Sequence, residues 1–278
     1  MDKFQTFERL PLKKNIKRYG EGGLRINGFY KSSKPNHPLI SLITVVYNGE
    51  KYLQETLDSI AKQSYLNFEH IVVDGGSKDK TLEIIKNNSN KIDYWVSEDD
   101  DGIYDAFNKG MQLCRGEYLG FINSDDVYEK DALNILVKYI RQNKNNDFIF
   151  GSVKKHWAIL SGYRPWKIFY SWGFYTSHST GFFIKNNSAK IVGFYDLKYK
   201  FSSDYDYLYR MIVKHKMNGV ATKKNEIFGI FRRGGYSSKI SFIDHFFEEI
   251  KIRIDNKQNR FLILLVFIYK FIKNLNKI

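Results

Sequence analysis

Hydrophobic positions in the first half of the chain alternate between short continuous runs and stripes at helical spacing. Leu39 to Val46 is a nearly unbroken apolar run, as expected of a strand buried on both faces of a parallel sheet. Tyr47-Asn48-Gly49 interrupts it, and Glu50 to Gln63 then sets Leu53, Leu57, Ile60 and Ala61 along one helical face. The pairing recurs. Phe68 to Val73 predicts a second strand and Lys80 to Asn87 a second helix, and Ile92 to Val96 a third strand with a helix from Ile103 to Cys114. Glu117 to Ile122 and Asp131 to Gln142 repeat the unit once more. Such alternation predicts a three-layer α/β sandwich around a mostly parallel central sheet.

Beyond Phe148 the pattern loosens into short runs carrying Gly and aromatics, with a helix expected over Tyr205 to Lys214. Three parts follow: an N-terminal extension over 1–38 that docks on the main domain, a domain over 39–240, and a helical tail over 241–278. Within the domain, 39–130 reads as one half and 131–240 as a less regular second half sharing the same sheet. In the tail, Phe242 to Ile254 has helical spacing and Phe261 to Tyr269 is an apolar run bounded by Arg260 and Lys270. That run is far short of the roughly 20 residues a membrane span needs, which leaves interfacial contact or packing against its own domain or a second subunit.

The charge is uneven. The net +14 of 278 residues conceals −8 over 39–130 and +12 over 131–238. A basic excess suits nucleic acid, an anionic membrane or a pyrophosphate substrate; no nucleic-acid module is recognisable, so nucleic acid is the weakest of these. The lone Cys114 fits a reducing compartment, and MDKFQTFERL has no charged-then-apolar secretory start, so a cytoplasmic location is expected.

Candidate chemistry sits where strands give out. Asp74 ends the second strand before Gly75-Gly76-Ser77, and Asn123-Ser124-Asp125-Asp126 follows the fourth. Strand ends converge at the ligand-binding edge of an open α/β sheet. Acids gathered there repel a bare phosphate, but they suit a ribose, a base, or a divalent metal that itself grips phosphate.

Five segments together carry a family resemblance: Thr44 to Gly49, Val73 to Asp79, Ser97 to Gly110, Asn123 to Asp126, and Ser203-Asp204-Tyr205-Asp206. In this order they resemble the family 2 glycosyltransferases of the GT-A fold, the Rossmann-like arrangement of nucleotide-diphospho-sugar transferases, and especially bacterial enzymes of surface-polysaccharide assembly. The resemblance runs from about Leu39 to Ser237. It implies that Tyr47 lies against the nucleotide base, that Asp74 accepts from base or ribose, and that Asp100 helps to hold the nucleotide. Asp125 would be the direct ligand of Mg²⁺ or Mn²⁺ bridging the diphosphate, with Asp126 in support or reaching sugar hydroxyls. Asn123 replaces the first acid of the common form and keeps a neutral oxygen. Asp204 would be the general base, with Asp206 the second choice unless it pairs with Arg210. His178 would line the acceptor or phosphate pocket, and Arg232-Arg233 on a glycine hinge would close over the diphosphate, with Arg233 as the binding residue. Asp105 and Lys109 fit helix capping and surface solubility nearly as well as a site role.

The resemblance implies an inverting, metal-dependent transfer of a hexose or N-acetylhexosamine from a nucleotide sugar, a UDP-sugar first, to a saccharide or lipid-linked oligosaccharide acceptor. Peripheral contact with the inner face of the cytoplasmic membrane is expected from the charge and the tail, and a homo-oligomer stays open. A non-catalytic binding protein on a decayed transferase fold is the rival that Asn123 and Ser203 keep alive. Nucleotidyltransferases and dinucleotide oxidoreductases lack their glycine-rich loops here.

Overall fold

β-Branched and aromatic runs become the sheet, and the striped segments between them become its covering helices. The computed structural model describes residues 16–156, 158–170, 179–232 and 241–274. The large sheet has the order β1-β4-β3-β2-β5-β10-β7-β11, with β1 at Arg18–Gly22, β2 at Ile40–Val46, β3 at Phe68–Asp74 and β4 at Tyr94–Glu98. The others are β5 at Tyr118–Asn123, β7 at Phe148–Phe150, β10 at Phe182–Lys185 and β11 at Gly219–Ala221. Its centre, β4-β3-β2-β5, is parallel throughout, whereas β1 and β10 run antiparallel to their neighbours. Chain order reverses across β2, so a crevice opens beyond the carboxyl ends of β2 and β5. A second sheet joins β6 (Val127–Tyr128), β12 (Ile227–Phe231), β8 (Ser152–Lys155) and β9 (Ala158–Leu160). Strands β7, β10 and β11 thus extend the large sheet, while β8, β9 and β12 join β6 in a small one.

Strand β2 explains the layering. Ile43 and Val45 pack with Tyr104, Phe107 and Leu113 of α3 (Ile103–Leu113), while Ile40 and Leu42 pack with Ile60 of α1 (Leu53–Ala61) and with Leu133 and Leu136 of α4 (Ala132–Gln142). Side chains of a strand alternate between faces, so a continuous apolar run is what burial on both sides requires. Val72 of β3 meets Leu53 and Leu57 of α1 and Ile85 of α2 (Thr81–Asn87).

Residues 18–22 add the outer strand β1, and behind it Arg25 is buried against Glu69 (2.5 Å) and the Leu113 carbonyl (2.7 Å). On the other side α5 (Asn186–Val192) leads towards α6 (Ser203–Tyr209), which continues as a π-helical turn over Arg210–Lys214. The tail folds as a helical hairpin, α7 (Phe242–Asp255) and α8 (Arg260–Lys273), with α7 packed on α6. Buried inside it, Glu249 accepts from Arg253 (2.7 Å) and from Lys270 (2.6 Å). Burial lowers the Lys270 ammonium to about 8, against the pull of Glu249.

Candidate active site

The loops after β2 and β3 form one rim because their polar side chains satisfy each other's backbone. The Asn48 N–H donates to Ser77 Oγ (2.7 Å), the Lys78 N–H to Asn48 Oδ1 (2.8 Å), and the Gly49 N–H to Thr81 Oγ1 (2.8 Å). Tyr47 stands on this rim with its ring 60 % exposed, so an aromatic face is open at the sheet edge. Asp74 is fully buried beneath it. Its carboxylate accepts from Ser97 Oγ (2.5 Å) and from the Ser77 hydroxyl and N–H, and so ties the turn to β4. The residue assigned to base or ribose contact therefore also fixes the shape of the rim.

A run of four acids at 98–101 needs cations, and the structure supplies them. Lys109 of α3 has no exposed surface; its Nζ reaches Glu98 (3.0 Å), Asp105 (3.4 Å) and the Asp99 carbonyl (2.8 Å). Arg18 of β1 donates to Glu98 through Nε (2.9 Å) and a terminal nitrogen (2.7 Å), and Tyr19 donates to Asp99 (2.9 Å). Asp105 and Lys109 are thus interior struts of the loop, and the solubility role is excluded for them. Asp100 is half-buried against Gly75, where an added Cβ would lie 2.9 Å from Asp100 Cγ. Gly76 has φ +77°, a conformation that L side chains rarely adopt. Burial raises the Asp100 carboxyl to about 6, opposed by the Gly102 N–H and by Lys109.

At the end of β5 the two neighbouring acids separate. Asp126 is buried, accepting from Thr180 Oγ1 (2.9 Å) and from the Arg232 N–H (3.2 Å), and burial lifts its carboxyl to about 6. It joins β5 to the chain after β12, which leaves the half-buried Asp125 as the acid at the surface of the turn. Asn123 hydrogen-bonds towards Asp126 and Ser179 through its amide nitrogen, while its buried Oδ1 has no hydrogen-bond partner. An acid at 123 would face a second buried carboxylate; the amide instead donates to it. The orphaned Oδ1 of Asn123, two residues before Asp125 in the chain, is a neutral hard donor of the kind a cation sharing its coordination with phosphate oxygens and water accepts. Among the described residues no group of three or more His, Cys, Asp or Glu could hold a metal alone.

Asp204 opens α6, and two distant elements fix it. The Tyr104 hydroxyl, from the first turn of α3, lies 3.2 Å from Asp204 Oδ1 and 3.2 Å from the Phe201 carbonyl. From α7, Glu248 accepts the N–H groups of Lys200 (2.6 Å), Phe201 (2.7 Å) and Ser202 (2.7 Å). The Phe201 residue is therefore gripped at its carbonyl by Tyr104 and at its N–H by Glu248. Burial, and secondarily the charge of Asp204, raises the Tyr104 phenol well above its usual value, so it remains a donor. Asp206 is engaged otherwise: it is buried, paired with Arg210 (2.7 Å) and accepting from Asn256 (2.8 Å). Ser203 is buried and donates to the Asp196 carbonyl (2.9 Å).

Contacts therefore link Asp74 and Asp100 around Gly75, Asp126 with Arg232, and Asp204 with the start of α3. Arg232 differs from a residue extended over a diphosphate: its guanidinium pairs with Glu55 and stacks 4.8 Å from the Tyr52 ring on the α1 side. His178 and Arg233 lie outside the described residues. Sequence reasoning missed Glu248, Thr180 and Arg18. Their contacts to Ser202, Asp126 and Glu98 span 46 or more residues.

Over 120 residues the chain is 36 % identical to a PGL/p-HBAD biosynthesis glycosyltransferase of Mycobacterium tuberculosis, covering 42 % of this chain and 47 % of that protein. It is 38 % identical over 112 residues to an uncharacterized glycosyltransferase of Rickettsia typhi, covering 40 % of this chain and 35 % of that one. The chain thus spans about a third to a half of the length of these relatives. S. aureus TarS 1-349 in complex with UDP-GlcNAc superposes with a TM-score of 0.60 at 20 % identity, covering 77 % of this chain and 65 % of that one. Mannosyltransferase PcManGT of Pyrobaculum calidifontis, in complex with GDP-Man and Mn²⁺, gives 0.60 at 16 %, covering 80 % and 65 %. At these identities the structures speak for the fold alone, and the fold is that of GT-A transferases. The model of the family described as "Glycosyl transferase family 2" matches residues 41–239, from the start of β2 to beyond β12, and to that family the chain belongs.

Proposed function

We propose that the protein moves a hexose or N-acetylhexosamine from a nucleotide sugar, a UDP-sugar first, to a saccharide acceptor with inversion at the anomeric carbon. The observation that carries the reading is Asp204, a carboxylate that meets the Tyr104 hydroxyl of α3, on a segment whose approach is held by Glu248 of α7, and separate in the chain from the acids that end β3 and β5. Tyr47, Asp74 and Asp100 hold the nucleoside, and Asp125 with Asn123 Oδ1 would hold Mg²⁺ or Mn²⁺. When bound, that cation supplies positive charge to the diphosphate. Asp204 takes the proton of the acceptor hydroxyl as its oxygen attacks C1, and the bond from C1 to the diphosphate oxygen breaks on the opposite side. Asp126 keeps the β5 turn in shape, and Arg233 is the candidate for closing over the phosphates.

The acceptor class we propose is a growing polysaccharide of the lipopolysaccharide, O-antigen or capsule type, free or lipid-linked. The enzyme would work in the cytoplasm, on the inner face of the membrane. A homo-oligomer is compatible with this scheme. A thermal-shift series with UDP, UDP-GlcNAc and GDP-mannose, with and without Mn²⁺, tests donor and metal together. We expect a UDP-sugar shift that requires Mn²⁺ and disappears in Asp125→Asn. A shift of equal size without metal would remove the cation from the scheme. Tight UDP binding with no turnover on any acceptor would favour the non-catalytic rival, for which the buried Ser203 and the amide of Asn123 speak.

A further inference from the structure

Helix α8 is apolar on both sides. Ile263, Val266, Phe267 and Lys270 face inward, with Phe267 against Phe246 of α7 at 5.1 Å between ring centres. The opposite stripe, Phe261, Leu264, Leu265, Ile268, Tyr269 and Ile272, is exposed at the spacing of one continuous helical face. Single exposed apolar residues are ordinary, but a contiguous face marks an interaction site. We propose that this face docks on an anionic lipid surface, with the helix lying in the plane of the interface.

Charge selects that occupant. Arg260–Lys273 contains no acidic residue; Arg260 and Lys273 are exposed at its two ends, and Lys251 and Lys257 are exposed on the neighbouring helix and turn. The acids nearby are engaged: Glu249 with Lys270 and Arg253, Glu248 with three backbone N–H groups, Asp255 with Tyr199 and Lys198, and Asp244 with the Ser241 cap. A two-fold pairing of this face would bring like cations together, with no carboxylate on either stripe to meet them. Anionic headgroups neutralise the same cations while the acyl region takes the apolar stripe. At 14 residues the helix is about 21 Å long, too short to cross a bilayer of about 30 Å, and no described helix is long and apolar enough to do so. Because α7 carries both Glu248 and the inner partner of α8, such docking would anchor the element that braces Asp204. This deepens the membrane placement proposed above by assigning it to one helix face, rests on that placement, and stands whichever sugar is moved.

The test is co-sedimentation of the full chain with vesicles of phosphatidylcholine alone or with 30 mol% phosphatidylglycerol (about a third anionic lipid) at 0.1 M salt. We expect partition onto the anionic vesicles at least about tenfold above the neutral ones, falling about tenfold in Leu264→Glu/Ile268→Glu and severalfold in Arg260→Glu/Lys273→Glu. All four side chains are exposed, so circular dichroism and the melting midpoint should stay unchanged. Equal partition by wild type and both variants, or absence of binding, overturns the proposal. So does a dimer by light scattering that Leu264→Glu/Ile268→Glu converts to monomer without any vesicle binding.

Discussion

The rim that ends β2 and β3 and the segment that carries Asp204 are built on different length scales. Rim contacts join residues 3 to 32 apart, at most about one strand-helix unit of the sheet. Asp204 is held by Tyr104 at a separation of 100 residues, and its approach segment by Glu248 from a helix more than 40 residues further on. The first region repeats a local grammar; the second exists only after the whole chain has assembled. A nucleotide can therefore meet a stiff, locally encoded surface, while the proton acceptor depends on the junction of three distant elements.

The largest effect on this contrast is expected within the rim's own supports. Lys109→Met leaves Glu98 and Asp105 without their buried cation, and breaking such a network costs about 3–5 kcal/mol. Chemical denaturation should show that loss, with Arg18 alone unable to hold the acidic loop. Glu248→Ala strikes the other region. Releasing three backbone N–H groups near the surface should cost about 1–3 kcal/mol and lower turnover while UDP affinity, read by calorimetry, stays within about twofold. Equal losses in binding and turnover would erase the distinction between the two regions.

Two smaller effects depend on pH. Asp126 rises from 3.8 to about 6 on folding, so the folded state holds its proton more tightly than the unfolded state. The contribution of this group is most favourable below pH 3.8 and is lost as pH rises through about 6. Between pH 5 and 7 Asp126→Asn should lose about 1 kcal/mol less stability than wild type, measured by paired denaturant titrations. Tyr104→Phe removes a donor from the carboxylate of Asp204, so the acid limb of the rate profile should move to higher pH. A uniform rate loss with no displacement of that limb would mean that Tyr104 merely packs.

The same difference in scale explains what the sequence made legible. Alternating runs and stripes located β2 to β5 and α1 to α4 within about three residues, because each element is set by its own periodicity. Asp74, Asp100 and Asp125 stood out as candidates because strand ends and turns are local signals. The inward turn of Asp126 was not, since neighbouring acids look alike until Thr180 and the Arg232 N–H approach from across the fold. For Lys109 and Asp105, capping or surface solubility fitted nearly as well as a site role for the same reason: their burial depends on β1 and β4 closing over α3. The pairing of Asp206 with Arg210 was visible as an i, i+4 spacing, whereas the grip of Glu248 left no trace at its own position.

The most direct measurement is UDP release from a responsive UDP-sugar by wild type and Asp204→Asn, with Mn²⁺ present and UDP affinity measured in parallel. A rate lower by about 10²–10⁴ at unchanged UDP affinity is expected. A variant rate within about threefold of wild type would contradict it, because the carboxylate held by Tyr104 would then have no part in moving the acceptor proton.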